Sequence, residues 1–385
     1  MRRTWPIAAA LALLGNANVA QAQPRRWHGA AALAADITAT PEPAGFGIAI
    51  ADLRGRGVVA GGDFHAQFNT DTLHVGVESI PLGTPRLQFG AALRGEALIA
   101  GLLRNYQQRG AAVPARGFFA SYVMAFATLK WLPADHHAVE LLVGARAWFF
   151  GRSEGDTSPG LALPPDLLVF EPRLRYTFWR ITSPGDEWSA QVLFPRITGV
   201  AAGVELGLDV RNDRRPWGAL NSVDDGRNQP GAPVLMARQW LRAGFTLGAQ
   251  VRVQIEQSAS WGAGEDDLTR VRIGGMSPYV VPVPGLAWPA LLCERYVAAQ
   301  GAVHVRPSRA HTHEVGVAVA GGVFNDVRRS GALSDFDGAG GAAVFGDLRF
   351  GRWQVYLRAG YAFPVAWLGD AVRVSAFVGV GARFG

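Results

Sequence analysis

Few residues of this chain have types and spacings suited to chemistry. His311-x-His313-Glu314 offers two imidazoles and a carboxylate, and in a strand positions 311 and 313 share a face, which would suit two ligands of one metal ion. No third ligand is evident, so the run reads as a solvated turn opening a strand. His136-His137 sit in a turn and point to opposite faces. The stretch "DFDGAGG" (335–341) sets two carboxylates before glycines but lacks the remaining oxygen ligands of a calcium loop, and it reads as an external loop. Ser308 lies near His311, and Ser334 near Asp335 and Asp337, but neither spacing is diagnostic of an aimed nucleophile. The only cysteine, Cys293, cannot form an internal disulfide. The expectation is a protein without catalytic, cofactor or metal-binding residues, and not an enzyme.

Charge points to no other chemistry. The formal net charge is +6, yet Lys130 is the only lysine and the arginines are spread along the chain with no run of five like charges. Nucleic acid is therefore not an expected partner. The N-terminus reads as an address: Met1-Arg2-Arg3 is basic, Pro6 to Leu14 is apolar, and Ala20-Gln21-Ala22 fits a cleavage site. Residues 1–22 are expected to be a signal peptide, and 23–45 a short periplasmic segment that could include a first strand. After the signal there is no uncharged apolar run of the 18 or so residues that a transmembrane helix needs.

The charged residues become meaningful once the elements that carry them are considered. In "QWLRAGFTLGAQVRVQIEQ" (239–257), Leu241, Ala243, Phe245, Leu247, Ala249, Val251, Val253 and Ile255 alternate with Arg242, Gln250, Arg252, Gln254, Glu256 and small residues. Period-2 alternation predicts a strand with one apolar and one polar face. Read as one strand, it is long enough to cross a bilayer at a tilt and project beyond it. The pattern recurs. Val204, Leu206 and Leu208 lie opposite Glu205 and Asp209; Leu87, Phe89 and Leu93 opposite Arg94 and Glu96; Val139, Leu141 and Val143 opposite Glu140 and Arg146. Val374, Val378 and Val380 close the chain on one face. Further candidates are 31–40, 46–52, 58–68, 72–79, 118–131, 168–180, 188–196, 291–306, 313–324, 342–350 and 352–362, giving about sixteen strands in all.

Short turns alternate with long segments at 99–117, 151–167, 257–290 and 325–341, as in outer-membrane barrels with periplasmic turns and external loops. The segment 212–238 breaks that rule, since it would be a long periplasmic connection. Aromatics cluster near strand ends, as interfacial girdles do. The fold class is thus all-β: a closed antiparallel transmembrane barrel of about sixteen strands over 46–385, in the bacterial outer membrane with lipid as its first partner. Arg94, Glu96, Glu140, Arg146, Glu205, Asp209, Arg242, Arg252, Glu256, Glu294 and Arg306 should face the lumen.

Two segments carry a more specific likeness. "FGIAIADLRGRGVVAGGDF" (46–64) places a Gly-Arg-Gly turn between two strands, and "RVRIGGMSPYVVPVPG" (270–285) precedes five candidate strands. This layout resembles the C-terminal barrel of the Omp85 superfamily, or surface antigen D15. The family's sixth external loop carries a Gly-Gly pair and then Arg-Gly-aromatic, with five strands following. Gly274-Gly275 match the pair, and Tyr279 and Gly285 lie in the segment where the second motif would stand. That segment reads Tyr279-Val280-Val281-Pro282, so the family's arginine is absent. Residues 23–45 are too short for a POTRA module. The resemblance implies a divergent barrel acting in outer-membrane protein assembly or secretion on periplasmic or secreted clients, or a channel plugged by an inward-folded loop 257–290. The alternatives are a porin-like channel for small solutes and a barrel enzyme acting on lipid.

Overall fold

The computed structural model describes residues 27–39, 44–69, 72–97, 107–108, 111–112, 118–152, 157–181, 197–219, 227–228, 231, 233–266, 268–273, 291–307, 313–326, 336–363 and 374–384. The first 22 residues therefore lie outside the description.

Sixteen strands form one closed antiparallel barrel. They are β1 (Trp27–Ala39), β2 (Ala44–Val59), β3 (Gly62–Asn69), β4 (Thr72–Pro81), β5 (Leu87–Ala97), β6 (Phe119–Trp131), β7 (His137–Gly151) and β8 (Leu167–Ile181). The second half comprises β9 (Gly199–Arg211), β10 (Val234–Leu247), β11 (Val251–Ala263), β12 (Leu291–Val305), β13 (Glu314–Asp326), β14 (Phe336–Phe350), β15 (Trp353–Ala362) and β16 (Val374–Phe384). Each strand pairs with its neighbour in sequence. Closure is made by β1 against β16, paired continuously from Gly29↔Phe384 to Ala39↔Val374. Closure leaves no sheet edge, which is what allows a sheet to sit in lipid. The first strand thus starts at Trp27, inside the segment expected to precede the barrel.

The long alternation at 241–256 is two strands, not one. Leu247 pairs with Val251 across a three-residue turn at 248–250, where Gly248 has a positive φ of 68°. Paired residues face the same side, and 247 and 251 differ by an even number. The alternation therefore runs through the turn without a slip, and hydropathy alone cannot see it. The extra strand also resolves the misplaced long segment, because 212–233 now falls on the same rim as 98–118, 152–166 and 264–290. By the usual asymmetry that rim is external. The candidate strand 188–196 lies outside the described residues, and the barrel closes without it because β8 pairs directly with β9 from Ile181↔Gly199.

A second difference concerns Gly55-Arg56-Gly57. It is a bulge within β2, where the register shifts between Gly55 and Val59 and Gly57 takes a φ of 61°. The reversal comes later, at Ala60-Gly61, where both residues have the positive φ that a tight two-residue hairpin demands.

The outer surface is an apolar belt. Leu93, Val123, Leu206, Val319 and Val344 are each more than half exposed at mid-strand. Phe149, Phe170, Trp261 and Tyr361 ring the external rim, and Trp27, Trp131, Phe350 and Trp353 the opposite one. Such a surface is stable only against hydrocarbon, with the aromatic rings at the two interfaces.

Candidate functional site: the lumen wall

With the apolar positions turned outward, every second residue lines the lumen. All eleven residues expected there are on that face, and each is held in an ion pair. Arg94 pairs with Glu96 at 3.6 Å, and Glu96 also accepts a hydrogen bond from Tyr122 Oη at 2.7 Å. Arg146 Nε lies 2.7 Å from Glu171, while Arg173 bridges Glu171 and Asp209. Glu140 meets Lys130 and Arg175, each at 3.4 Å, and Arg175 meets Glu205 at 2.6 Å. Arg242 reaches Glu256 at 3.9 Å, across the hairpin. Glu314 gathers Arg252 at 2.5 Å, His304 at 3.2 Å and Arg306 at 3.5 Å. Glu294 holds Arg270 at 3.1 Å.

Most of these pairs run along the wall between neighbouring strands. They form ladders that tie β6 to β7, β8 and β9, and β11 to β12 and β13. Two contacts instead tie the wall to the segment after β11: Arg270 to Glu294, and Arg211 to Asp266.

The second tether is the more deeply buried. Asp266 is fully buried and receives both Arg211 guanidinium nitrogens, at 2.7 and 2.9 Å, together with Trp217 Nε1 at 2.9 Å. Asp266 also caps its own turn, accepting the backbone N–H of Leu268 at 3.2 Å and the Thr269 hydroxyl at 3.1 Å. These donors hold its carboxyl below the ordinary range against the opposing pull of burial. Beside it Glu265 is equally enclosed, and burial pushes its carboxyl up to about 8.

Around this tether an apolar cluster packs against the wall toward the external end. Phe118, Tyr122, Trp148, Leu161, Trp217 and Leu268 belong to one buried apolar cluster. Wall residues of β6 and β7 meet three connecting segments there. Trp217 stands edge-on to Phe118 at 5.7 Å, and Tyr122 and Trp148 lie 4.8 Å apart with Arg146 over both rings. Asp266 escaped the sequence reading because it lies in a turn, and Leu161 and Trp217 because they lie in strands of two and three residues, Leu161–Ala162 and Trp217–Ala219 of a small separate sheet, too short for period-2 alternation to register.

The four loop-motif residues Gly274, Gly275, Tyr279 and Gly285 lie outside the described residues. So does His311. Its partners in the metal-like run are otherwise engaged: His313 Nδ1 accepts the backbone N–H of Arg349 at 3.0 Å, and Glu314 holds the arginines named above. Cys293 is a buried free thiol.

No family model matches the chain, and no curated protein matches it in sequence. Solved structures do match it in shape. The barrel of BamA from Haemophilus ducreyi lacking POTRA domains 1–3 superposes with a TM-score of 0.58 at 11% identity, over 92% of this chain and 70% of that one. The chain shares the barrel fold of that structure. CdiB from Escherichia coli gives a TM-score of 0.57 at 12% identity over 94% of this chain, and CdiB from Acinetobacter baumannii 0.56 at 10% over 94%. This chain spans 64% and 61% of those two CdiB chains respectively, a little under two thirds of their length. The likeness fixes the architecture, and with the lipid-facing belt it makes the chain an integral outer-membrane β-barrel.

Proposed function

We propose that this Omp85-like barrel handles protein clients in outer-membrane assembly or secretion, with its external mouth stoppered by its own loops, and is not a catalyst. The observation that carries the reading is the packed external end. Asp266 and Trp217 are buried against the wall, so the segment after β11 turns into the barrel before it continues. A passive solute channel has no use for such a stopper. The shape shared with BamA and CdiB supports a role with protein clients, which would engage from the periplasmic side or pass outward.

Two measurements test the reading. Reconstituted in planar bilayers, the intact protein should conduct poorly. Asp266→Asn combined with Trp217→Ala should open larger and longer-lived pores, because the neutral partner leaves Arg211 buried without its counter-charge. Photo-crosslinkers placed in the periplasmic turns of cells should also capture discrete protein adducts. Large stable pores in the intact protein, unchanged by the double substitution, would replace this reading with the porin one.

A further inference from the structure

We propose that the lumen wall carries a binding site for a zinc-class divalent cation, formed by His65 of β3 and His74 and Glu78 of β4. Ligand atoms of these three side chains all lie within 4.8 Å of one another. Two imidazoles with one carboxylate, leaving an open fourth position, is a donor set suited to zinc and its borderline neighbours.

The backbone explains how residues so spaced converge. His74 and Glu78 lie on the same face of β4, two positions either side of Gly76. His65 pairs across the ladder with Gly76 itself. The glycine has no side chain to stand between them, and a Cβ there would meet Ala92 of β5. The rings of His65 and His74 are 5.1 Å apart. A bulge fixes the far end: the register of β4 against β5 shifts between Val77 and Ile80, and Ser79 takes a left-handed φ of 59°. A non-glycine residue held there is strained, and such strain collects where a side chain must be aimed. The neighbour so aimed is Glu78.

Polar satisfaction favours the same reading. Nε2 of His74 is buried with no hydrogen-bond partner. Nε2 of His65 is likewise buried without a hydrogen-bond partner, and two such nitrogens side by side are costly unless something binds them. Nε2 of His65 lies 3.4 Å from Asp52 Oδ1, long for a hydrogen bond but in place to orient the ring as carboxylates do behind metal-bound histidines. Asp52 is itself held by Arg54 through two contacts of 3.2 Å. The charges nearby balance: Arg54 faces Asp52 and Arg94 faces Glu96. Glu78 makes no ion pair among the described residues, which leaves one negative charge for a cation. Glu78 is also exposed to the lumen, so the open position faces water.

The test uses the full chain, untagged and folded in detergent micelles or lipid vesicles, after treatment with chelator. Zinc titrated by calorimetry should bind with one saturable equivalent, and cobalt in its place should give the visible absorption of a four-coordinate nitrogen and oxygen site. His74→Ala and Glu78→Gln should each weaken zinc binding at least tenfold, and Asp52→Asn by less. His136→Ala with His137→Ala, in the turn before β7, should leave it unchanged. Heat-modifiable migration on gels reports that each variant is folded, and the conservative Glu78→Gln guards against failure of a histidine variant to fold. Absence of saturable binding, or binding equally strong in folded His74→Ala and Glu78→Gln, overturns the proposal. Neither result bears on whether the barrel handles protein clients.

Discussion

The two sides of the lumen are built on opposite principles. From β6 to β11 the inward positions carry Arg146, Glu171, Arg173, Arg175, Glu205 and Asp209, laced across neighbouring strands. In β13 to β16 the inward positions toward the external end are Ala320, Gly322, Ala339, Gly341, Ala343 and Gly360, with an aromatic row of Phe345, Tyr356 and Phe377 below. Glycine serves both sides, for different reasons. A Cβ on Gly207 would meet the side chain of Arg173, and one on Gly203 the ring of Trp240 at 2.6 Å. There glycine makes room for long side chains lying flat on the wall. A Cβ on Gly322 would meet the carbonyl of Val297, and one on Gly316 the carbonyl of Val303. There glycine lets backbones approach. The comparison teaches that the charged side is held by side chains in addition to its ladder, whereas the external half of β13 to β16 relies mainly on its ladder, its polar ties, such as Glu314 with Arg252 and Gln354 with Asp347, lying nearer the opposite rim.

The sharpest way to break this contrast is Glu171→Ala. It leaves Arg146 and Arg173 buried without a shared carboxylate and should cost about 3–5 kcal/mol in denaturant unfolding from lipid. Ala320→Ser, on the other side, should change stability by less than about 0.5 kcal/mol. A loss below about 1 kcal/mol for Glu171→Ala would show that the ladders are ornament.

The outer face should not distinguish the two sides. Leu206→Arg in β9 and Val319→Arg in β13 both place a cation in mid-bilayer and should each cost about 2–4 kcal/mol, read as folded yield in vesicles. If one is spared, its strand has been assigned the wrong face. Glycine gives a finer measure. Gly322→Ala should cost about 1–3 kcal/mol, since backbone must move. Gly207→Ala should cost less, because the arm of Arg173 can swing aside.

The smallest effect concerns the tether of the segment after β11. Glu265 has a folded pKa of about 8 against an ordinary 4.5, so its contribution to holding the segment is full below pH 4.5, falls as pH rises, and is gone above about 8. Asp266 has the opposite sign: its contribution is present above 3.8 and lost as pH falls through its depressed folded value. Trp217 fluorescence and protease nicking should therefore show a loosening between pH 4.5 and 8 that Glu265→Gln abolishes. An unchanged slope in that variant would assign the effect elsewhere.

Most of the barrel was legible because alternation is a direct consequence of having lipid on one side of a wall and water on the other. Leu206 and Glu205 need no tertiary information to be assigned their faces. What escaped was whatever parity does not encode. The turn at Gly248 preserves parity. The bulge at Gly57 was read as a reversal because glycines punctuate both. Asp266 belongs to a turn and Trp217 to a three-residue strand too short to alternate, and His65 and His74 meet only through a register between strands that the sequence does not state.

The parity-preserving turn has a consequence for assembly. In the hairpin of β10 and β11, a misfolded pairing displaced by two residues would keep every apolar side chain on the lipid face and every polar one inside. The membrane cannot reject such an error. Rejection falls to the few positions where partners matter individually: Gly248, which tolerates the reversal, and Arg242 opposite Glu256. Displaced by two, Glu256 would stand against Gly244 and Arg242 against Ser258. A single weak ion pair midway along the lumen face thus acts as the proofreading mark for a hairpin whose hydrophobicity is blind to its own alignment.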